Sequence, residues 1–352
     1  MKKILGIFRG FPGLGRVVAG VSLLETLRDN YDCDVRVISY LQGNKYLESR
    51  GYVDLPEATQ LDFCSIGLLP TNKMGVYIHD TIRGFMPDAI LIDGEPLILQ
   101  SIKISHPSIK IITLLNPADV KNSYNDKEAM DYFNALYSLS DLAIVHGLRL
   151  IEKDQRYKHL ISINTIIRRE IISVKNIPNK NIYCVLGGGT VNVAQQFEDS
   201  TLRIGELCQN AASLLPDYTM HIVCSSQNIF KALKENNYLE NVILHEGILS
   251  AQKYYNDASL VITRSGRNTL SELAVLGIPA ITFVSGCSYR KVEQSNNIHD
   301  LNIPTIVLAN LEIATEKFAE LCLSMINKKT DCYLQCGNDI AIKYILQSLL
   351  SR

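Results

Sequence analysis

The sequence has no surplus of charge: 35 Lys and Arg face 36 Asp and Glu in 352 residues, a net charge of −1. A chain built to grip a polyanion needs excess Lys and Arg to neutralise phosphates, so nucleic acid is excluded as the main partner. Low hydrophobicity is also missing, since 47% of the residues are hydrophobic, and this excludes a disordered chain. Long apolar runs are absent too. Residues 278–284 form one of the longest, far short of the ~20 needed to cross a bilayer. Lys2-Lys3 is a weak basic start and Arg9 interrupts the apolar stretch 4–8, so no secretory signal is expected. The nine cysteines never adopt Cys-x-x-Cys spacing, and the one close pair, Cys332 and Cys336, has no histidine beside it. Neither a disulfide framework nor a metal site is expected; most of the thiols read as small buried hydrophobes in a reducing compartment. Low-complexity tracts and short repeats are lacking as well. The expectation is a cytoplasmic chain of about two domains, with peripheral contact at the inner face of a membrane left open.

What is present is alternation. Short apolar runs at 3–8, 34–39, 89–92, 110–114 and 142–145 read as strands, separated by amphipathic stretches such as 17–28, where Val17, Val21, Leu24 and Leu27 recur at helical spacing. The second half repeats the logic with runs at 182–186, 220–224, 242–245, 260–263, 280–284 and 305–308. Near-continuous apolar strands alternating with helices predict an α/β fold whose parallel sheets are covered on both faces. Each half opens with an apolar strand running into glycines: first Gly10, Gly13 and Gly15, later Gly187-Gly188-Gly189. The boundary is expected where Arg168-Arg169-Glu170 and the turn-like Asn176-Ile177-Pro178-Asn179 interrupt the pattern. The expected division is 1–163, 164–330, and a terminal helical segment 331–352.

Two turns in the second half have the chemistry to hold an anion. Gly187-Gly188-Gly189-Thr190 lies between a strand and a helix, where glycines let backbone N–H groups approach a phosphate and the helix dipole favours negative charge. It lacks the Gly-x-Gly-x-x-Gly spacing, and no acidic residue closes the next strand, so dinucleotide binding of the NAD type is not expected. The run Arg264-Ser265-Gly266-Arg267-Asn268-Thr269-Leu270-Ser271-Glu272 is strand end, polar turn and helix start. Ser265, Asn268 and Thr269 offer donors there, and Glu272, one turn deeper, offers two oxygens to a ribose diol. A purely structural reading, with Asn268 or Thr269 capping the helix and Glu272 favouring its first turn, fits that segment equally. Farther on, Glu293-Gln294 opens another helix and suits adjacent sugar hydroxyls.

Together these pieces resemble the donor-binding half of the GT-B glycosyltransferases, and most closely the MurG-like N-acetylglucosaminyltransferases. The shared pattern is the glycine loop at Gly188, Gly189 and Thr190, then Arg264-Ser265-Gly266 with Thr269 and Glu272, then Gly277-x-Pro279, then Glu293-Gln294 with Asn297. The stretch from Ser265 to Glu272 is also similar to the His-Cys-Gly-Trp-Asn-Ser-x-x-Glu box of plant UDP-sugar transferases. Ile163-Asn164-Thr165-Ile166-Ile167-Arg168-Arg169-Glu170 resembles the family's crossover linker. The resemblance implies a GT-B fold, two Rossmann-like domains with parallel sheets facing a central cleft, and a terminal helix, within 331–352, that packs back on the first domain. It further implies that Gly188, Gly189 and Thr190 face the diphosphate or donor sugar, that Arg264, Ser265, Gly266, Asn268 and Thr269 surround phosphate, and that Glu272 holds the ribose. Glu293 and Gln294 would then hold the transferred sugar, and the backbone near Ile248 would meet the base.

The first half departs from that pattern. Where relatives carry Gly-x-Gly-His, this chain has Gly13-Leu14-Gly15-Arg16, and an arginine cannot serve as a base at neutral pH. Gly13 and Gly15 are read as an acceptor-side loop, and Arg16 as a residue that binds the leaving diphosphate or an anionic acceptor. A base is sought instead in Asp93-Gly94-Glu95-Pro96, at the end of a buried strand, where α/β ligand sites form. Glu95 and Asp93 are the candidates, with capping of the next helix as the alternative for either. His79, His106 and His146 are expected to make ordinary hydrogen bonds. Phe11, Leu14, Leu68, Leu69, Met74 and Phe85 are candidates for an apolar acceptor-side patch or for core.

The expected activity is transfer of a sugar from a nucleotide diphosphate donor, most simply a UDP-sugar, to an acceptor hydroxyl, with inversion. No cofactor and no metal are expected, since helix N-termini can hold the diphosphate electrostatically. The acceptor is a small molecule or a lipid-linked glycan. A nucleotide-sugar hydrolase, a 2-epimerase or a non-catalytic nucleotide-sugar-binding subunit on the same architecture are the alternatives.

Overall fold

A computed structural model describes residues 1–10, 13–55, 72–122, 125–186, 195–224, 226–236, 238–247, 250–285, 288–326, 328 and 333–350. The chain divides into two compact units, Met1–Arg169 joined by Cys336–Arg352, and Glu170–Gln335. The boundaries therefore fall at 169/170 and 335/336, against the expected 163/164 and 330/331.

The first unit runs β1 (Lys2–Phe8), α1 (Gly15–Tyr31), β2 (Cys33–Ile38), α2 (Gln42–Ser49), α3 (Asn72–Phe85) and β3 (Ala89–Asp93). It continues with α4 (Pro96–Ser105), β4 (Lys110–Leu115), α5 (Pro117–Val120), α6 (Lys127–Tyr137), β5 (Leu142–Gly147) and β6 (Leu160–Asn164). Among the described residues these strands form one parallel sheet in the order β2-β1-β3-β4-β5-β6. β6 was not expected as a strand; its Leu-Ile-Ser-Ile-Asn is only half-buried, and pairing with β5 from Ala143↔Leu160 to Gly147↔Asn164 holds it extended. Alternate residues feed two cores, as continuous apolar strands require. Ile4, Leu91, Ile112 and Ile144 pack with Val21 and Leu24 of α1, while Leu5, Ile90, Ile92 and Ala143 pack with Ile78, Ile82, Leu99 and Ile102. Phe85 belongs to the second core and is buried, so it is no part of an exposed acceptor patch. Leu14 is half-buried, and Phe11, Leu68 and Leu69 lie outside the described residues, as does the side chain of Met74.

After α7 (Arg169–Ile172), the second unit runs β7 (Asn181–Val185), α8 (Gln195–Ala212), β8 (Thr219–Cys224), α9 (Gln227–Glu235), β9 (Val242–Glu246), α10 (Ala251–Asp257) and β10 (Ala258–Arg264). It closes with α11 (Arg267–Leu276), β11 (Ala280–Phe283), α12 (Ser288–Leu301), β12 (Ile306–Ala309) and α13 (Thr315–Ile326). Its described strands make a second parallel sheet, ordered β12-β11-β10-β7-β8-β9. Cys184, Cys208, Cys224 and Cys322 sit in its core beside Ile204, Ile222 and Phe318. They act there as small hydrophobes, and burial pushes the Cys224 and Cys322 thiols up to about 12.

In both sheets the strand order reverses once. The first chain segment steps from β1 out to β2 and returns on the other side of β1 as β3; the second runs β7-β8-β9 and returns beside β7 as β10. Ligands of open α/β sheets bind beyond the strand C-termini at such reversals. The reversal points are therefore the ends of β1 and β3 in one unit, and of β7 and β10 in the other.

The last helix, α14 (Asn338–Leu350), belongs to the first unit, where Ile342 and Ile345 join the α1 core. Buried Asn338 anchors it. Its Oδ1 accepts from Ile167 N at 3.0 Å, and its Nδ2 donates to Ile167 O at 3.0 Å and Ser22 Oγ at 3.1 Å. Asn338→Ala leaves these groups unsatisfied and is expected to cost the first unit about 2–3 kcal/mol. Urea unfolding should show one transition moved to lower urea, while the second unit's stays in place.

Candidate active site

In the first unit, β1 and β3 deliver their ends side by side, with Arg9 N donating to Asp93 O at 2.9 Å. Gly94 then turns the chain with φ +85, and an added Cβ would lie 2.6 Å from Arg16 Cδ and 2.8 Å from Arg9 Cβ. Only glycine combines that backbone with so close an approach. The turn places Glu95 at the N-cap of α4, ahead of Pro96, but its side chain makes no capping bond. The capping alternative for Glu95 is therefore set aside.

Glu95 is instead folded into the unit, 1% exposed. Tyr40 OH donates to its Oε1, Arg9 Nε lies 3.9 Å from the same oxygen, and Oε2 is buried without a hydrogen-bond partner. Burial pushes the Glu95 carboxyl up to about 7; Arg9, Tyr40 and Arg16 pull against it, and Asp93 adds to the rise. A carboxyl poised near neutrality suits proton transfer at physiological pH.

Asp93 sits differently. It is fully buried, and Arg16 Nη1 donates to its Oδ1 while Arg16 Nη2 donates to Asp119 Oδ1 at 2.8 Å. Burial works against the Asp119 charge, yet Arg16 and the Asn116 N–H, 2.8 Å from Oδ2, outweigh it and hold that carboxyl below its usual range. Burial also opposes the Arg16 charge, and Asp119 and Asp93 together raise it well above the ordinary arginine value. Arg16 thus bridges two carboxylates of its own unit, and Asp93 is its buried ion-pair partner. Gly15 begins α1, and a Cβ on Gly13 would meet nothing within 4 Å, so no close approach demands glycine there.

In the second unit, β10 ends at Arg264 and the chain turns at Ser265. Ser265 N and Oγ both donate to Phe283 O, at 3.0 and 3.3 Å. Gly266 is the N-cap of α11 and no side chain caps that helix, so half-buried Asn268 and Thr269 stand in its first turn without the capping role. A helix's first turn directs unshared N–H groups outward, here at the strand-order reversal. Glu272 is 2% exposed and its Oε2 accepts from Tyr255 OH at 3.0 Å. The carboxylate is thus already engaged within its own unit, where both oxygens were expected to be open.

α12 latches this edge. Gln294 Oε1 accepts from Ser285 N at 3.1 Å and its Nε2 donates to Ser285 O at 2.7 Å, while Asn297 Nδ2 donates to Ser265 O at 3.0 Å. Gln294, expected on the transferred sugar, is here a brace between α12 and the β11 turn; Glu293 is exposed on α12. Beside the brace, a depression of about 450 Å³ is bordered by Ser200, Arg203, Ser285, Lys291 and Leu311, and the buried Ser285 Oγ has no partner. Gly188, Gly189, Thr190 and Ile248 lie outside the described residues.

Other candidates resolve simply. His79 and His106 place ring nitrogens 3.1 Å apart, and buried His146 accepts from Ile166 N at 3.4 Å, so each makes the ordinary hydrogen bond expected. Among the described residues, no three His, Cys, Asp or Glu side chains cluster as a metal site. Asp32-Cys33-Asp34 is an Asp-x-Asp sequence, but it joins α1 to β2 at the sheet edge opposite the strand C-termini. Sequence reasoning missed Arg9, Tyr40 and Asp119. Arg9 had a signal, since it directly follows the first apolar strand; Tyr40 and Asp119 had none without the strand order.

Residues 193–335 match the glycosyltransferase family 28 C-terminal domain. Over the whole chain, the fold is that of MurG from Acinetobacter baumannii, with a TM-score of 0.62 at 13% identity, covering 99% of this chain and 100% of that one. It is equally similar to the UDP-GlcNAc 2-epimerase of Neisseria meningitidis, with a TM-score of 0.61, 14% identity and coverage of 99% and 100%. UGT89C1 of Arabidopsis thaliana matches with a TM-score of 0.64, 13% identity and coverage of 99% and 94%. No curated protein sequence matches the chain. No described helix is long and apolar enough to cross a membrane. The chain has the GT-B fold, with two Rossmann-like units, and its C-terminal half carries a match to the glycosyltransferase family 28 C-terminal domain.

Proposed function

We propose that the chain transfers a sugar from a nucleotide diphosphate donor, most simply a UDP-sugar, to an acceptor hydroxyl, with inversion and without a metal. The observation that carries this reading is the family 28 match over residues 193–335, a stretch that includes the Ser265-Gly266 turn and the first turn of α11. In this reading the helix N-terminus and the Ser265 and Thr269 hydroxyls hold the diphosphate, Glu272 takes a ribose hydroxyl, and Glu95 removes the acceptor proton. The acceptor is a small molecule or a lipid-linked glycan.

Calorimetric titration with UDP tests the donor half. UDP is expected to bind, and Glu272→Ala to weaken it at least tenfold, about 1.4 kcal/mol. Unchanged affinity in a folded variant would sink the ribose assignment. Binding and turnover unaltered by a metal chelator are expected, and dependence on a divalent ion would remove the metal-free reading.

A second reading, a nucleotide-sugar 2-epimerase, draws on the comparable likeness to two UDP-GlcNAc 2-epimerases. Incubation with UDP-GlcNAc alone, followed by proton NMR of the anomeric region, separates the two. A transferase leaves the donor nearly unchanged until an acceptor is added; an epimerase accumulates a second sugar nucleotide.

A further inference from the structure

Resting on the reading of Glu95 as base, we propose that Tyr40 is a positioning residue that occupies Glu95 Oε1 and so commits Oε2 to the acceptor proton. The cage comes from three strand ends. Arg9 follows β1 and is anchored by donating from Nη2 to Gly94 O. Tyr40 follows β2, where Ser39 Oγ donates to Phe8 O at 2.8 Å and Gly43 N donates to Tyr40 O at 2.9 Å. Glu95 follows β3 through the Gly94 turn. Tyr40 is 8% exposed and its phenol donates to Oε1, the oxygen also nearest Arg9, whereas Oε2 is buried with no partner. A carboxylate held this way has one hydrogen-bonded oxygen and one with both lone pairs vacant.

The groups that face Glu95 are Arg9 beyond β1, Arg16 from α1, Tyr40 beyond β2 and Asp93 from β3. The phenol and the two guanidiniums favour the charged carboxylate; burial and Asp93 oppose it. Removing the phenol hydroxyl takes away one stabiliser of the charged form, so Glu95 holds its proton to higher pH. In the transfer itself, the acceptor O–H bond breaks as its oxygen bonds the anomeric carbon. The proton passes to Glu95 Oε2, and the nucleotide diphosphate leaves with the electron pair of the broken anomeric bond. Glu95 then releases the proton to solvent. Tyr40 keeps its own proton throughout, because burial, with Glu95 beside it, raises the phenol well above its ordinary value.

The test is infrared titration of the protonated carboxyl band that disappears in Glu95→Gln, compared between the wild-type chain and Tyr40→Phe. The midpoint is expected to rise by about one pH unit in Tyr40→Phe, and the acidic limb of kcat/KM to move with it, with activity recovering at high pH. A Tyr40 that only packs would give a pH-independent loss. Should Tyr40→Phe fail to fold, 3-fluorotyrosine at position 40 keeps the ring, donates more strongly, and is expected to move the midpoint down. An unmoved midpoint in a folded variant overturns the positioning role, whatever Glu95→Gln does. A moved midpoint with full activity in Glu95→Gln overturns the base reading instead, and the catalytic part of this inference with it.

Discussion

Glu95→Gln is expected to lower kcat by about 10²- to 10⁴-fold, the usual contribution of a positioned general base. The wild-type rate should rise with pH through about 7, where the buried Glu95 carboxyl ionises, and the variant should lose that limb. The same substitution has an opposite effect on stability. The folded-state value lies above that of an ordinary glutamate, so between the two the native state binds a proton that the unfolded chain has released. Stability is therefore fully present below the ordinary glutamate range and falls as pH rises toward 7. The shift corresponds to about 3 kcal/mol. Above pH 7 the neutral glutamine variant should be more stable than the wild-type chain by up to that amount, and at pH 4 the two should converge. Chemical unfolding at both pH values reads this directly, and equal stability at pH 8 would contradict the burial argument.

Arg16→Ala is expected to be the most damaging single substitution in the first unit, at about 3–5 kcal/mol near neutral pH. It removes one guanidinium from between two carboxylates, Asp93 and Asp119, and leaves buried Asp93 and half-buried Asp119 without that cation. The sign with pH is distinct. In the wild-type chain the depressed Asp119 value contributes stability above the ordinary aspartate range, lost as pH falls through the folded value. In the variant Asp119 loses the cation that holds its carboxyl down, so the deficit should be largest at pH 7 and shrink toward pH 4. Urea denaturation across that range checks it; a deficit below 1 kcal/mol, or one independent of pH, would mean the bridge is not coupled to folding. Arg16→Lys should restore only part of the loss, because a single ammonium cannot span two carboxylates as a fork does.

These two predictions turn on Glu95 and on Asp93, the partner of Arg16, neighbours in one short turn that the sequence offered as near-equals. Asp93-Gly94-Glu95-Pro96 was legible as a chemistry-bearing turn because it ends a continuous apolar strand and precedes a proline-started helix. Which carboxylate ionises near neutrality was not legible. Arg16 and Asp119 lie 103 positions apart, and Tyr40 and Glu95 lie 55 apart, so no local pattern joins them. The second unit shows the same division. Ser265-Gly266 was recognisable as a strand-to-helix turn, and α11 begins at Arg267, beside the expected Asn268. Gln294 was recognisable only as an amide near a helix start; its two hydrogen bonds to Ser285 depend on how α12 meets the turn after β11. β6 escaped notice because residues 160–164 mix polar with apolar side chains and become a strand through pairing with β5.

The sequence by itself determined two parallel α/β units, their order, and the strand-end turns at which polar chemistry gathers. It does so because apolar periodicity and turn-forming glycines act over a few residues. Tertiary structure alone decided that Arg16 neutralises Asp93 and that Glu95 stays close to neutral. The return of α14 to the first unit was already implied by the resemblance; the structure supplies its anchor, Asn338 hydrogen-bonding Ser22 and Ile167. The physical reason is that ionisation and hydrogen-bond pairing depend on burial and on charges from other strands, and only the strand order brings those charges within a few ångströms.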